Sequence, residues 1–188
     1  TDGQYVKTSE NKTGVTDTVV NVKPATVAEG FALNDEKSVY EGTVAADNSL
    51  VLKVYIDRIS YNFKTVVDGV ETSTAYLYGA TIVAPEAPTK TGYTFAGWTP
   101  EVAATMPAAD VTYTATWTAN SYNAVFDANG GYFDGDTTVT TKTVPTDYDA
   151  TIAVPAAPEK PGYTFNGWNP TPATMNDVNG LRFTAKWI

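Results

Sequence analysis

The side chains that could do chemistry in this sequence are carboxylates, amides and phenols, because its 188 residues include no histidine and no cysteine. That removes the commonest general base, the commonest transition-metal ligand and the thiol nucleophile. Ser-His-Asp and Cys-His constellations cannot be assembled, and zinc or copper sites of the usual kinds lack ligands. What remains is a carboxylate-pair hydrolase. Asp147 with Asp149 and Asp35 with Glu36 are such pairs. Neither recurs between the repeated stretches of the chain, and solvated surface is the ordinary fate of acidic residues. No catalytic residue, no enzymatic activity and no cofactor is expected.

The densest run of oxygen ligands is Asp127-Ala128-Asn129-Gly130-Gly131, followed by Asp134-Gly135-Asp136. Calcium loops place Asp and Asn at alternate positions, but here Gly131 stands where a third ligand belongs and no Glu closes a twelve-residue loop. Asn-Gly is also the strongest tight-turn signal. The turn is the favoured reading, and no metal site is expected. Val67-Asp68-Gly69 occupies the matching place in the preceding repeat and supports it. A lysine isopeptide cross-link would suit a chain without disulfides, and Lys53, Lys64, Lys90 and Lys186 lie in or beside strand patterns. Such a bond needs a buried lysine, whereas lysines ordinarily snorkel to water.

The tryptophans fall in matched places, Trp98 with Trp168 and Trp117 with Trp187. Trp117 and Trp187 share strand parity with apolar neighbours and are expected in the core. Two readings stand for Trp98 and Trp168. One is a pair of ligand-contact aromatics, exposed as platforms for a glycan or a protein. The other is a pair of core anchors, large enough to let a 60-residue unit bury a core. Each sits on the opposite parity from its Tyr and Phe neighbours, which a bulge at Gly97 or Gly167 would undo.

The elements that hold these residues are set by an internal repeat. Gly92-Tyr93-Thr94-Phe95-Ala96-Gly97-Trp98 returns as Gly162-Tyr163-Thr164-Phe165-Asn166-Gly167-Trp168. Upstream, Tyr78, Ala80, Thr81, Ile82, Pro85, Ala87, Pro88 and Lys90 recur as Tyr148, Ala150, Thr151, Ile152, Pro155, Ala157, Pro158 and Lys160. Thr, Val and aromatic residues abound and Gly and Pro punctuate them, which is strand composition. Alternation is clear in Val111, Tyr113, Ala115 and Trp117, in Leu181, Phe183, Ala185 and Trp187, and in Leu50, Leu52, Val54 and Ile56. The Pro-rich approaches forbid helix interiors, leaving short helical turns near 76–80, 106–110 and 146–150 as the only helical candidates. Met106 and Met175, which align within one position, are expected to fill equivalent core gaps.

Three units follow: 1–58, 59–118 and 119–188, each mostly β. The first is diverged. Glu29-Gly30-Phe31-Ala32-Leu33 sits where Thr91-Gly92-Tyr93-Thr94-Phe95 does in the second, and Leu50 to Val54 aligns with Val111 to Ala115. Nothing before Asp2-Gly3 matches Ser60-Tyr61-Asn62-Phe63, so its first strand is read as lost or replaced, with Gln4–Ser9 as the compensating strand. The opening Thr1-Asp2-Gly3-Gln4 is of the kind expected from a cut inside a longer protein.

The formal charge of −9 is spread as an excess of three negative charges in each of 1–58, 59–118 and 119–188. With a pI near 4.3 the chain is not expected to bind nucleic acid or an anionic membrane surface. No stretch approaches the roughly 18 apolar residues of a membrane span, so no membrane insertion is expected. A monomer is expected, with edge-strand association as the alternative where a strand is unpaired.

At Tyr122-Asn123-Ala124-Val125-Phe126-Asp127-Ala128-Asn129-Gly130-Gly131, Pro155 and Pro158, Gly162 to Trp168 and Thr184-Ala185-Lys186-Trp187, the third unit resembles the Listeria–Bacteroides repeat family, the internalin B-type repeats. The second unit fits from Tyr78 onward. The first looks more like a mucin-binding-protein type of repeat, through Gly30-Phe31 and Leu50-Val51-Leu52-Lys53-Val54-Tyr55. The resemblance implies tandem β-grasp, ubiquitin-like units with little helix, arranged as an elongated array in a secreted or wall-attached bacterial surface protein. It implies a role as stalk, spacer and contributor to adhesion, with a host or neighbouring-cell surface protein or glycan as partner. It carries no catalytic residue and no ligand site.

Overall fold

The structure, a computed structural model, describes residues 6–188. Every regular element among them is a strand: β1 (Val19–Asn21), β2 (Phe31–Leu33), β3 (Glu41–Thr43), β4 (Ile56–Arg58), β5 (Ser60–Val67), β6 (Val70–Leu77), β7 (Tyr93–Thr99), β8 (Val111–Ala119), β9 (Ser121–Asp127), β10 (Thr141–Asp147), β11 (Phe165–Asn169) and β12 (Leu181–Trp187). The helical turns expected near 76–80, 106–110 and 146–150 do not form. Tyr78-Gly79 and Tyr148-Asp149 are turns that end β6 and β10, and Met106–Asp110 is bends and coil. No helix among the described residues is long and apolar enough to cross a membrane.

The strands form two compact bodies. One takes the residues up to Pro85 together with Pro100–Thr114, the other Glu86–Thr99 together with Ala115–Ile188. The division runs through the second repeat rather than between repeats.

In the first body, β5 and β6 form a hairpin closed at Val67↔Val70. Asp68 and Gly69 have φ of 48° and 82°, the pair of left-handed conformations that a two-residue type I′ turn demands. On its other edge β5 pairs in parallel with β8, from Phe63↔Val111 to Val66↔Thr114. Phe63, Ile82, Met106 and Tyr113 are buried, and the Phe63 and Tyr113 rings lie 5.0 Å apart. Residues 6–58 contribute two short ribbons, β1 with β3 and β2 with β4, both antiparallel. No side chain in that stretch is fully buried; only Gly30 is.

Two expectations change there. The strand read over Leu50–Asp57 shrinks to Ile56–Arg58, and upstream of it only Lys53 bridges, to Val39. Without an aromatic anchor such as Trp117 nothing pulls the rest of the run flat against a sheet. Of the proposed strand at Gln4–Ser9, residues 4 and 5 lie outside the described residues, and Val6–Ser9 has no strand.

In the second body β9 to β12 form a sheet of order β10-β9-β12-β11. β12 runs parallel to β9 from Leu181↔Ala124 to Thr184↔Asp127, and the other pairs are antiparallel. One core cluster holds Phe126, Phe133, Ile152, Trp168, Met175 and Phe183. The sheet holding β5 to β8 has the same order, β6-β5-β8-β7. The two methionines are equivalent. Met106 N–H donates to Ala80 O and its own carbonyl accepts from Gly79, as Met175 does with Ala150 and Asp149, and both side chains are at most 1% exposed.

Candidate functional site

The residues singled out from sequence do not converge on one pocket. Trp168 is 6% exposed. Its ring stacks on Phe133 at 14° and meets Phe126 edge-on at 4.9 Å, so neither face is offered to a ligand. The parity problem is resolved by a register shift between Phe165 and Trp168 on β11, where Gly167 has φ of 84°. Both aromatics then face inward, 5.3 Å apart. Trp98 is half-buried and packs edge-on against Phe95 at 5.4 Å. At Trp168 these contacts are those of a core anchor.

Trp117 and Trp187 are half-buried rather than enclosed. Trp187 donates its indole N–H to the carbonyls of Ala128 and Asn129. Those carbonyls come from the Asp127–Gly131 run, which is the expected turn. Asn129 and Gly130 have φ of 48° and 81°, and Gly131 N–H donates to Ala128 O. One Asp127 oxygen accepts from the Asn129 N–H and the other pairs with Arg182. The backbone N–H first, and the guanidinium by hydrogen bond and by charge, hold its carboxyl below the usual range. Among the described residues no group of three acidic side chains is placed to hold a metal ion. Lys53 and Lys186 are exposed, and Lys64 and Lys90 are half-buried.

The residues that do come together lie at the repeat junctions. In the first body Gly30 has φ of 79°, and a Cβ placed on it would run into the ring of Tyr78. Ile59 N–H donates to Gly30 O, and Ile59 O accepts from Tyr78 N–H, each at 2.8 Å. Phe31 meets the Tyr78 ring edge-on at 5.4 Å. In the second body the arrangement repeats. Gly92 has φ of 79°, and a Cβ there would run into Tyr148. Asn120 N–H donates to Gly92 O and Asn120 O accepts from Tyr148 N–H, each at 2.9 Å. Tyr93 meets Tyr148 edge-on at 5.7 Å.

Each clasp thus has a receiving half, a left-handed glycine followed by an aromatic residue, and a presenting half, a tyrosine just past the second strand of the next repeat. Glycine is required twice over, by its φ and by the ring above it. The linker residue between them donates its N–H to the glycine carbonyl and accepts at its own carbonyl from the tyrosine N–H, so a junction of a few residues is tied on both sides.

The second clasp adds two polar pairs. Tyr93 OH donates to Asp149 at 2.8 Å, and Thr94 Oγ1 donates to the Asn120 amide oxygen at 2.6 Å. The bond to Asp149 holds the Tyr93 hydroxyl proton and pushes its pKa up, with desolvation and the carboxylate's charge acting in the same direction. In the first clasp the corresponding residues are Phe31 with Gly79 and Ala32 with Ile59. Donor and acceptor are replaced together in both pairs. The sequence carried the signal for this, since Tyr78 and Tyr148 recur one repeat after Gly30 and Gly92, but a periodicity argument within each repeat does not connect them.

Comparison with known proteins agrees with this repeat structure. The profile of the Listeria-Bacteroides repeat domain matches residues 58–120 and 122–182. Internalin H of Listeria monocytogenes is 43% identical over 111 residues, covering 54% of this chain and 19% of that protein. A putative membrane protein of Evansella cellulosilytica is 31% identical over 125 residues, covering 62% of this chain and 17% of that protein. A putative Gly-rich membrane protein of the same organism is 32% identical over 99 residues, covering 48% of this chain and 11% of that protein. The chain therefore spans less than a fifth of the length of these relatives. Two profile matches that together cover about two thirds of the sequence, on units with the same strand order, place the chain in the Listeria-Bacteroides repeat domain family.

Proposed function

We propose that this chain is a non-catalytic structural module of a bacterial surface protein, a stalk or spacer that holds other domains away from the cell and contributes to adhesion. The observation that supports it most is the clasp. Two successive junctions use the same glycine, linker bonds and tyrosine, and each lies inside a compact body rather than in a loose tether. Flexible spacers are Gly/Ser-rich, whereas Ile59 and Asn120 are fixed on both sides. We read the units as 1–58, 59–118 and 119–188, and the four-stranded sheets of the second and third as β-grasp sheets without the helix. The order β6-β5-β8-β7, with β5 and β8 parallel, supports that topology. The names of the relatives, an internalin and putative membrane proteins, support an extracellular, surface-associated location.

Three such units in line should span roughly 80–110 Å, taking about 27–35 Å for a compact 60-residue unit. Small-angle scattering on the chain tests this. A maximum dimension in that range supports the spacer, and a particle near the size expected for one 188-residue globule refutes it.

A further inference from the structure

The third repeat carries a receiving half of the same clasp. Gly162 has φ of 80°, and a Cβ placed on it would meet nothing within 4 Å. Tyr163 is 56% exposed. Several contacts of the filled site recur around it, although β7 begins at Tyr93 and β11 only at Phe165. Tyr93 N–H donates to Lys90 O and Tyr163 N–H to Lys160 O, both at 3.1 Å. The Lys90 ammonium sits 4.8 Å from the Tyr93 ring and 5.7 Å from the Trp117 ring. Lys160 repeats this at 4.6 Å from Tyr163 and 5.8 Å from Trp187. The Phe95 ring meets Trp117 and the Phe165 ring meets Trp187, each at 5.8 Å. Beside Gly162 lies an open recess of about 430 Å³ lined by Lys160, Tyr163, Thr164, Phe165 and Trp187. The receiving half is therefore built before anything docks on it.

We propose that the Gly162-Tyr163-Thr164 face is a docking site for a further repeat of this family in the same polypeptide, and that it selects a repeat with a linker Asn and a Tyr-Asp turn. The tyrosine follows from Gly162, whose bare α-carbon matches Gly30 and Gly92, the two that lie beneath tyrosine rings. The Asp and Asn follow from the polar pairs. Where the receiving residues are Phe31 and Ala32, the presenting chain offers Gly79 and Ile59; where they are Tyr93 and Thr94, it offers Asp149 and Asn120. Tyr163 and Thr164 are of the second kind. A mismatched partner would leave a hydroxyl without its acceptor at a partly desolvated contact, which costs more than the matched apolar set.

The proposal rests on the reading of these units as serial spacers, but its test is separate from the scattering experiment. The chain is extended after Ile188 with Ala-Asn and a copy of residues 121–188 in which the copied Tyr163 is replaced by Phe, so that the new junction reads Ala-Asn-Ser as 119–121 does and Tyr163 has a peptide of its own. Nitration of Tyr163 by tetranitromethane is followed by mass spectrometry, with Tyr93 as internal standard. In the unextended chain Tyr163 should react faster than Tyr93; in the extended chain it should fall to the rate of Tyr93. An extension carrying Ile for the linker Asn and Gly for the copied Asp149 should leave Tyr163 fast. Equal reactivity in all three chains, with the added repeat folded, overturns the proposal. So does protection of Tyr163 in the unextended chain that grows with concentration, which would make a second copy the occupant. If the added repeat does not fold, the matching rule is tested in the parent chain by the cycle Tyr93→Phe, Asp149→Gly and both together. The double variant should be more stable than the sum of the single losses predicts, and strict additivity refutes the selection.

Discussion

Tyr148 lies directly over the α-carbon of Gly92, in the space where any other residue would carry its Cβ. Gly92→Ala should therefore do two kinds of damage. It forces a left-handed φ on alanine, at about 1–2 kcal/mol, and it pushes the tyrosine ring off its seat, at a further ~2 kcal/mol of lost burial. Gly162→Ala meets only the first cost, because nothing stands above it. Thermal or urea unfolding should place the Gly92 variant well below the Gly162 variant. In a Tyr148→Ala background the two alanines should cost the same, since the ring is gone. Equal losses in the native background would mean that the ring moves aside freely.

The Tyr93–Asp149 bond sets a pH dependence at the alkaline end. The folded pKa of Tyr93 is raised above the ordinary phenolic value of 10.0. A raised folded pKa means stability that is fully present below the unfolded pKa and lost as pH rises through the folded one. The second body should therefore weaken above about pH 10, the ordinary phenolic value, and Tyr93→Phe should flatten that limb and lower stability near pH 7, where the bond to Asp149 is fully formed. Unfolding midpoints between neutral and strongly alkaline pH check this, and an identical slope in the variant contradicts it.

Asp127 acts at the acid end. Its folded pKa is lowered, first by the Asn129 N–H and then by Arg182. Its stabilisation is present above the unfolded value and lost as pH falls through the folded one. Asp127→Asn should flatten the acid limb below about pH 4, the unperturbed carboxylate range. Arg182→Ala should have a smaller effect, at most about 1 kcal/mol, because that guanidinium is 61% exposed and well screened. A steeper acid loss in Arg182→Ala than in Asp127→Asn would reverse this order of causes.

The strands of the second and third repeats were legible because two periodicities coincide in them. Alternation marked β8 and β12, and the recurrence of Gly92–Trp98 as Gly162–Trp168 gave the register between repeats. The bulge at Gly167 could be posed from parity but not decided, because only the pairing of Phe165 with Trp187 and Trp168 with Ala185 shows it. The first 58 residues misled more. Leu50 to Ile56 alternates as β8 does, but alternation states only which side faces in, and there is no Trp beside it to bury. The clasp was the least legible part. Its halves lie 48 residues apart in the first case and 56 in the second, and each looks like an ordinary turn on its own.

Trp117 and Trp187 provide a comparison inside one molecule. Both indoles meet a phenylalanine at 5.8 Å with ring planes 71–73° apart, so the apolar contact is nearly the same. Only Trp187 has acceptors, the Ala128 and Asn129 carbonyls, while the Trp117 Nε1 is buried without a partner. The third repeat has the Asp127–Gly131 turn to supply them, and the second turns straight back at Asp68-Gly69 instead. Phenylalanine removes the N–H and keeps most of the ring. At Trp187 that forfeits hydrogen bonds, whereas at Trp117 it removes a desolvated donor whose burial costs about 1–3 kcal/mol. Trp187→Phe should therefore destabilise more than Trp117→Phe, by roughly 1–3 kcal/mol, with Trp117→Phe close to neutral. Urea titrations of the two single variants measure the difference, and a larger loss at Trp117 would show that its indole N–H has an acceptor after all.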